Sequence, residues 1–262
     1  MSAVTSTAPE APGVGALLRL WRERRRFSQQ ELSNRSSVST RHLSRLETGR
    51  AHPTPEMLLR LSDHLDVPIR ERDRLLLAAG FAPRHPDRSL DDADLAVVLD
   101  GVRRLLDAHL PHPALLLDDR WDVVDANAAV DALLVGCAPR LLEPPVNVVR
   151  LCLDAEGLAP RIRNLAQWAA HLHDQVRHRA DRTHDAFLDG LAAEIAAALP
   201  AGGHHPSTSG PVVTLDLAIG AGTARFFSTT ARLTTATDAA LEGLHLETFL
   251  PADEWTRQQY RG

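Results

Sequence analysis

Residues 28–49 decide the fold of the first part of this chain, and they read SQQELSNRSSVSTRHLSRLETG. The stretch predicts two short helices separated by a tight turn. Ser28 is typical of a helix N-cap, and Glu31 three residues later completes the capping-box pattern. Ser39 begins the second helix in the same way, and Gly49 ends it. This is the layout of a helix-turn-helix, whose second helix enters the DNA major groove.

The flanking sequence extends this motif to five helices. An apolar pattern at helical spacing runs from Gly15 to the arginines at 24–26. Thr54-Pro55-Glu56 begins a fourth helix, with proline at the favourable first position, and residues 69–79 form a fifth. We therefore expect a disordered N-terminus at residues 1–14 and an all-α domain at residues 15–83.

The second helix of the motif carries side chains that could read DNA. Arg41 and Arg45 lie four residues apart and so share one helix face, and arginine is the residue that most often contacts guanine edges. A solvated helix face would have the same composition, so the helix alone leaves both interpretations open. The predicted DNA-binding residues, phosphate contacts included, are Gln29, Ser39, Thr40, Arg41, Ser44, Arg45 and Arg50.

Composition restricts the class of protein. The chain has 262 residues and is 44% hydrophobic, enough for two ordinary domains, and no apolar run approaches the roughly 18 residues that span a bilayer. The first residues lack the basic and apolar regions of a signal peptide. Two isolated cysteines, Cys137 and Cys152, make neither a disulfide framework nor a metal site. We expect a cytoplasmic protein with no membrane contact.

Charge is divided unevenly along the chain. Residues 1–85 hold 14 arginines and 9 acidic residues, a net charge of +5. Residues 86–262 hold 15 arginines and 25 acidic residues, a net charge of −10. A basic front and an acidic back suit a polyanion-binding module joined to one that avoids nucleic acid. Chance variation between two soluble domains would give the same split, so charge does not decide the matter.

The rest of the chain predicts a linker at residues 84–94 and an α+β domain at residues 95–262. Two apolar runs around Asp118-Asp119-Arg120 are typical of a β-hairpin. A second hairpin is expected about Gly220-Ala221-Gly222. The other expected elements are helices at 95–109, from 126, at 158–179 and at 186–199, a loop at 202–210 and a last strand at 244–250.

The segment from Leu17 to about Phe81 resembles the XRE/Cro/C1 helix-turn-helix family. The resemblance lies in LWR at 20–22, SQQEL at 28–32, STRHLSRLETG at 39–49 and PTP at 53–55. It implies that Gln29 contacts phosphate and that Glu47 is structural. It also implies that the base-reading residues are Thr40, Arg41 and Arg45. Where the family usually has glycine in the turn, this chain has Ser37, which can adopt the left-handed conformation at a cost of about 1 kcal/mol.

Residues 110–254 resemble the PAS-like C-terminal domain of MmyB-like regulators. The resemblance lies in PALLLDDRWDVVDANAA at 113–129, NVVRL at 147–151, FFST at 226–229 and FLPADE at 249–254. It implies a sheet and helices enclosing an apolar pocket for a fatty-acid-like or similar small molecule. Apolar pockets and cores are lined by the same residue types. With that alternative open, the candidate ligand-binding residues are Leu116, Trp121, Val123, Trp168 and Phe226.

No motif points to catalysis, a metal or a cofactor. The chain has no nucleophile elbow, P-loop or dinucleotide fingerprint. Several histidines invite a metal interpretation, but they lack the spaced cysteine or carboxylate partners of zinc sites. Solvated histidines are therefore favoured. The histidines in question are His109, His112, His171, His173, His178, His184, His204 and His205.

These observations predict a bacterial transcription regulator, not an enzyme. One helix-turn-helix covers a half-site, and paired half-sites lie about 34 Å apart, so we expect a homodimer on double-stranded DNA. The competing hypothesis makes residues 95–262 a dimerisation or protein-interaction module without a ligand. An enzyme with a DNA-binding appendage would need a cluster of titratable groups in a cleft.

Overall fold

The computed structural model describes residues 12–183, 185–199, 211–233 and 236–260. The predicted loop at 202–210, the side chains of His184, His204 and His205, and residues 1–11 of the predicted disordered terminus lie outside the described residues. The helices in chain order are α1 (Val14–Arg24), α2 (Gln29–Ser36), α3 (Thr40–Glu47), α4 (Pro55–His64), α5 (Ile69–Ala78), α6 (Ala93–Ala108), α7 (Ala128–Leu134), α8 (Val148–Leu153), α9 (Leu165–Thr183), α10 (Ala186–Ala198), α11 (Ala239–Glu242) and α12 (Glu254–Gln259). The strands are β1 (Ala114–Leu117), β2 (Val123–Ala126), β3 (Leu215–Ile219), β4 (Gly222–Arg232) and β5 (His245–Pro251).

The chain divides into two compact units. The first is Met1–Arg88 together with Ala236–Glu242, and the second is Ser89–Thr235 together with Gly243–Gly262. The first unit is helical and the second combines helices with one sheet, so the predicted α+β class with a helical N-terminal domain is confirmed. None of the described helices has the length and apolar character needed to cross a membrane.

Helix starts in the first unit follow the capping residues of the sequence. The Ser28 hydroxyl accepts from the Glu31 amide at 3.1 Å, and the Glu31 carboxylate accepts from the Ser28 amide at 2.6 Å. Ser39 accepts from the amide of His42 at 3.3 Å. These bonds satisfy amides that have no partner within the first helical turn. The predicted capping box and the second N-cap are confirmed.

The core of the first unit surrounds Trp21 and the leucines of α2 to α5, including the inward-facing Leu43 and Leu46. Gly15 sets how closely α1 approaches α3. A Cβ atom at that position would lie 2.3 Å from the carbonyl oxygen of Leu46. Only a residue without a side chain permits this approach. Gly15 therefore determines how closely α3 packs against α1.

Residues 236–242 complete the first unit from far along the chain. The amide of Ala239 donates to the carbonyl of Pro86 at 2.9 Å. The guanidinium of Arg88 bonds the buried carboxylate of Asp238 at 3.0 Å. Glu242 accepts from the amide of Ile69 at 2.7 Å and so caps the start of α5. This segment, which connects β4 to β5, therefore stabilises the helical unit.

The second unit is built on a five-stranded antiparallel sheet with strand order β2-β1-β5-β4-β3. Leu115 pairs with Glu247, Ser228 with Phe249, and Leu215 with Phe226. Because alternate residues of a strand share a face, one face presents these side chains to the helices. The main core of this unit lies on that face.

Several boundaries differ from the predicted ones. The helix expected from residue 158 begins at Leu165, after a short 3-10 helix at Ala159–Arg161. Trp121 lies in the turn before β2 with a φ of 64°, not in the strand. Gly222 is the first residue of β4. Helices α8, α11 and α12 were not predicted, because elements of four to six residues carry little periodic signal.

Candidate DNA-binding surface and ligand-binding interior

The turn between α2 and α3 sets the angle of the predicted reading helix. Ser37 takes φ 58° and ψ 22°, the left-handed conformation anticipated for this position. The Ser36 hydroxyl bonds the Leu32 carbonyl at 2.6 Å, and Val38 is buried in the core. The turn is therefore anchored on both sides of the strained residue.

A buried ion pair ties α1 to the end of α3. Glu47 receives bonds from Arg22 at 2.6 and 2.9 Å, with both side chains largely shielded from water. Arg22 also donates to the carbonyl of Phe27 at 2.7 Å. A bidentate arginine–carboxylate pair fixes orientation as well as distance. Glu47 thus lies in a structural position, as the family resemblance implies, and sequence spacing did not reveal its partner 25 residues away.

The outer side of α3 and the turn that follows it carry three exposed arginines: Arg41 and Arg45 on the helix and Arg50 beyond its end. Within the described parts of the chain, none of the three makes an ion pair or a side-chain hydrogen bond. The one carboxylate of α3, Glu47, faces inward to Arg22. This surface is consequently positive and leaves its guanidinium donors available to phosphates or base edges.

The remaining predicted DNA contacts lie around these arginines. Ser39 is exposed at the start of α3, and Ser44 is half-buried. Thr40 donates from its hydroxyl to Gln30 at 3.1 Å. The Gln29 side chain donates to Glu47 at 2.8 Å, so in this structure it belongs to the buried network. A phosphate contact from Gln29 would have to come from its backbone amide or from a changed rotamer.

Four of the five candidate ligand-binding residues lie together in the second unit. Trp121, Trp168 and Phe226 belong to one buried cluster, and Val123 packs against it. Leu116 is buried but lies on the opposite face of β1 from Leu115 and Leu117, since neighbouring strand residues alternate. The structure therefore brings the two tryptophans, Val123 and Phe226 together and separates Leu116 from them.

Two buried asparagines hold the hairpin that carries Trp121. Asn127 is 1% exposed; its Nδ2 donates to the carbonyls of Leu106 and His112 at 2.9 Å, and its Oδ1 accepts from the amide of Ala114 at 3.2 Å. Asn147 donates to the Arg120 carbonyl at 2.8 Å and accepts from the Arg150 amide at 3.2 Å. Both asparagines lie in motifs that carry the family resemblance, and they explain those motifs by backbone hydrogen bonding.

The interior also holds polar groups that sequence reasoning missed. His245 and Glu247 lie on the same face of β5 as Phe249, and all three are buried. Burial and Arg232 lower the pKa of His245 to about 4. Burial raises the pKa of Glu247, against the effect of Ser228. The alternation of LHLETFL could have revealed them, because it places a carboxylate on the face of Phe249.

The histidines take varied environments rather than one solvated face. His178 is exposed, but His171 is half-buried, bonded to Gln175 at 2.8 Å and tilted against Trp168 at 5.3 Å. His109 bonds the Phe249 carbonyl at 2.8 Å. Across the stretches that the structure describes, no group of three or more histidine, cysteine or acidic side chains is arranged to hold a metal ion.

Two family matches cover most of the chain. Residues 14–75 match a family described as helix-turn-helix domain. Residues 98–261 match the family described as MmyB-like transcription regulator ligand binding domain. No curated protein is found to match the chain. The first match covers α1 to α4 and most of α5. The second covers the sheet and the buried cluster around Trp121.

Proposed function

The chain belongs to the MmyB-like transcription regulators, a DNA-binding helix-turn-helix joined to a ligand-binding domain, and we propose that it reads DNA with α3 as a homodimer controlled by a small apolar ligand. The observation that carries the DNA-reading part is the exposed arginine surface of α3. Arg41 and Arg45 are exposed without an ion pair in the described chain, while the neighbouring Glu47 is neutralised by Arg22. Thr40, Ser44 and Arg50 complete the surface.

The double variant Arg41→Ala/Arg45→Ala tests this surface. Each bidentate arginine–guanine contact contributes about 1–3 kcal/mol of discrimination, so the ratio of specific to non-specific affinity should fall by about thirtyfold or more. The measurement is the affinity of each protein for an operator duplex selected with the wild-type protein and for a scrambled duplex, both titrated at one salt concentration. The control is Arg163→Ala/Arg232→Ala, which removes the same charge from exposed sites in the second unit. Survival of sequence-specific binding in the Arg41/Arg45 variant would show that α3 is not the reading helix.

The proposed ligand site is the buried cluster with Trp121, Trp168, Val123 and Phe226. The large aromatic side chains supply the apolar surface that a fatty-acid-like chain requires. Ligand binding would change the spacing of two DNA-reading helices to the extent that the ligand prefers one arrangement. Mass spectrometry of the denatured, purified protein tests this directly. A released small molecule supports sensing, whereas a protein that releases none and binds no amphiphile would be a dimerisation module.

The homodimer is proposed from the half-site argument and is tested by sedimentation equilibrium with and without operator DNA. A monomer on DNA would contradict it. Absence of enzymatic activity and a cytoplasmic location stay predictions. Both matched families are those of transcription regulators, which favours the first.

A further inference from the structure

The first helix of the second unit, α6, exposes apolar side chains to solvent. Its inward face holds Leu95, Val102 and Leu106, which are buried where α6 packs on β1 and β2. Its outward face carries Val97 and Leu105, which are 82% and 59% exposed. Adjoining apolar side chains on an exposed helix face often mark a contact surface.

A glycine lies midway between these two exposed side chains. In helical geometry Val97 and Leu105 lie about 6 Å before and after Gly101 along the axis, and about 40° to either side of it. We call these three residues the α6 strip. A Cβ atom at Gly101 would have no neighbour within 4 Å in the described chain. Glycine inside a helix lowers stability relative to alanine, but its missing side chain lets another helix approach closely.

The α6 strip is complementary to itself. In an antiparallel pair whose twofold axis passes Gly101, Val97 of one chain faces Leu105 of the other, and the two glycines meet. The same axis also matches opposite charges. Asp100 and Arg104 form an ion pair along one border of the strip. Measured along the helix axis, Arg104 of one chain lies within about 3 Å of Asp100 of the other.

The charge of the second unit favours contact at this face. Residues 86–262 carry a net charge of −10, so two copies of this part of the chain repel each other on average. The α6 strip is uncharged, and Asp100 and Arg104 on its border cancel. Only residues 89–92 separate α6 from Arg88, where the long segment of the first unit ends. A dimer formed through α6 therefore joins two chains close, in sequence, to their DNA-reading units.

We infer that the α6 strip lies at the centre of the homodimer interface, and that it binds α6 of a second copy of this chain, packed antiparallel about Gly101. The inference rests on the proposed homodimer and assigns it a surface. The contact is isologous, because the same residues serve both chains. Apolar side chains at its centre and an ion pair at its border follow the usual anatomy of protein interfaces.

Sedimentation equilibrium of the full chain tests the strip. Val97→Glu/Leu105→Glu should raise the dissociation constant of the dimer by about a hundredfold or more, because it buries carboxylates in an apolar contact. The matched control is Val135→Glu/Val212→Glu, which adds the same charge at exposed valines of the second unit and should leave the constant nearly unchanged. An unchanged dimer in the Val97/Leu105 variant overturns the inference but leaves the homodimer itself intact. If the wild-type protein is a monomer both free and on DNA, the homodimer and the inference fall together.

The variant Gly101→Ala tests the close approach of the two helices. It should raise the dissociation constant about tenfold, because a methyl group enters a contact between backbones. The control is Gly190→Ala, since Gly190 is also an exposed helical glycine whose Cβ position has no neighbour within 4 Å in the described chain. Alanine favours the helix equally at both sites. Equal dimer affinity of the two variants overturns packing about Gly101.

Cysteine cross-linking tests the direction of the two helices. In an antiparallel pair, Val97→Cys/Leu105→Cys brings unlike positions of two chains together, so mild oxidation should give a disulfide-linked dimer. Either single variant should give none, because each cysteine lies about 12 Å along the axis from its counterpart, beyond the roughly 4.4–6.8 Å between Cα atoms that a disulfide allows. Wild type, with its native Cys137 and Cys152, is the control. Cross-linking of the single variants, or none in the double variant, overturns the inference.

Discussion

Ser37 is a non-glycine residue that the fold holds in an unfavourable backbone conformation. Its φ of 58° belongs to the left-handed region, where a side chain costs about 1–2 kcal/mol. The Ser36 hydroxyl bond and the buried Val38 on either side hold the turn in place. The conformation was expected from the family resemblance, because this chain has serine where the family usually has glycine in the turn.

The variant Ser37→Gly should therefore stabilise the protein. Relief of the strained φ outweighs the greater flexibility of glycine in the unfolded chain, and we expect the free energy of unfolding of the first unit to rise by about 0.5–1 kcal/mol. Chemical denaturation followed by circular dichroism measures the change. The same substitution at Ser33, inside α2, should lower stability by about 0.5 kcal/mol. A destabilised Ser37→Gly protein would mean that the serine side chain contributes more than its strain costs.

His245 makes the second unit sensitive to acid. Its pKa of about 4 in the folded chain lies below the ordinary value of 6.5, because burial favours the neutral imidazole. Between these values the unfolded chain binds the proton and the folded chain does not, so stability falls as pH falls from about 6.5 to 4. Between pH 7 and pH 5 the loss should be about 2 kcal/mol.

Hydrogen exchange of the β5 amides, corrected for the intrinsic effect of pH, measures this loss. The variant His245→Gln cannot take up the proton and should lose about 2 kcal/mol less over the same interval. The raised pKa of Glu247 acts in the opposite direction, because its carboxyl group is ionised more readily in the unfolded chain as pH rises. An identical pH dependence in wild type and His245→Gln would exclude His245 as the source.

At the scale of elements, hairpins and helix starts are held by side chains that bond the backbone. Asn127 supplies three such bonds at the junction of α6, β1 and α7. The sequence placed a helix start near this residue, and the structure has α7 begin directly after it. Its bonds to Leu106 and His112 were not predictable, because they depend on where α6 ends against the hairpin.

The variant Asn127→Ala should destabilise the second unit by about 2–4 kcal/mol, since it removes three hydrogen bonds to the backbone from a buried site. Differential scanning calorimetry would show the transition of this unit at lower temperature. The matched control is Asn34→Ala, whose side chain is exposed and accepts a bond from Gln30; it should stay within about 0.5 kcal/mol of wild type. Equal effects of the two substitutions would remove the proposed role of Asn127.

At the scale of the whole molecule, short-range sequence signals predicted the helices, whereas contacts between residues far apart in the sequence were not predicted. Capping residues and apolar periodicity located α2 to α5, because those signals act within a few residues. The two candidate sites differ in the same way. Arg41 and Arg45 are found by spacing alone, whereas the burial of Trp168 and Phe226 in one cluster depends on how α9 packs against the sheet. Nothing local in residues 236–242 indicates that they belong with the first unit.

Removal of the distant carboxylates tests that assignment. In Asp238→Asn/Glu242→Gln, Arg88 loses an ionised partner and the amide of Ile69 loses a charged acceptor. We expect hydrogen exchange at the start of α5 to become about tenfold faster, the equivalent of about 1.4 kcal/mol. Asp100→Asn, which breaks an exposed pair with Arg104, is the control and should leave α5 unchanged. Unaltered protection of α5 in the double variant would show that the segment contributes no stability there.

The place of residues 236–242 in the chain has a consequence for synthesis. A ribosome that has released the whole stretch up to Arg88 has made α1 to α5, yet the carboxylates of Asp238 and Glu242 are still about 150 codons away. The DNA-reading unit therefore reaches its final stability only when almost the entire polypeptide has emerged. In a product truncated by premature termination, the first unit would lack this segment and would be less stable. Proteases would therefore degrade the truncated product sooner than the full-length protein, and operator DNA would be bound mainly by full-length molecules.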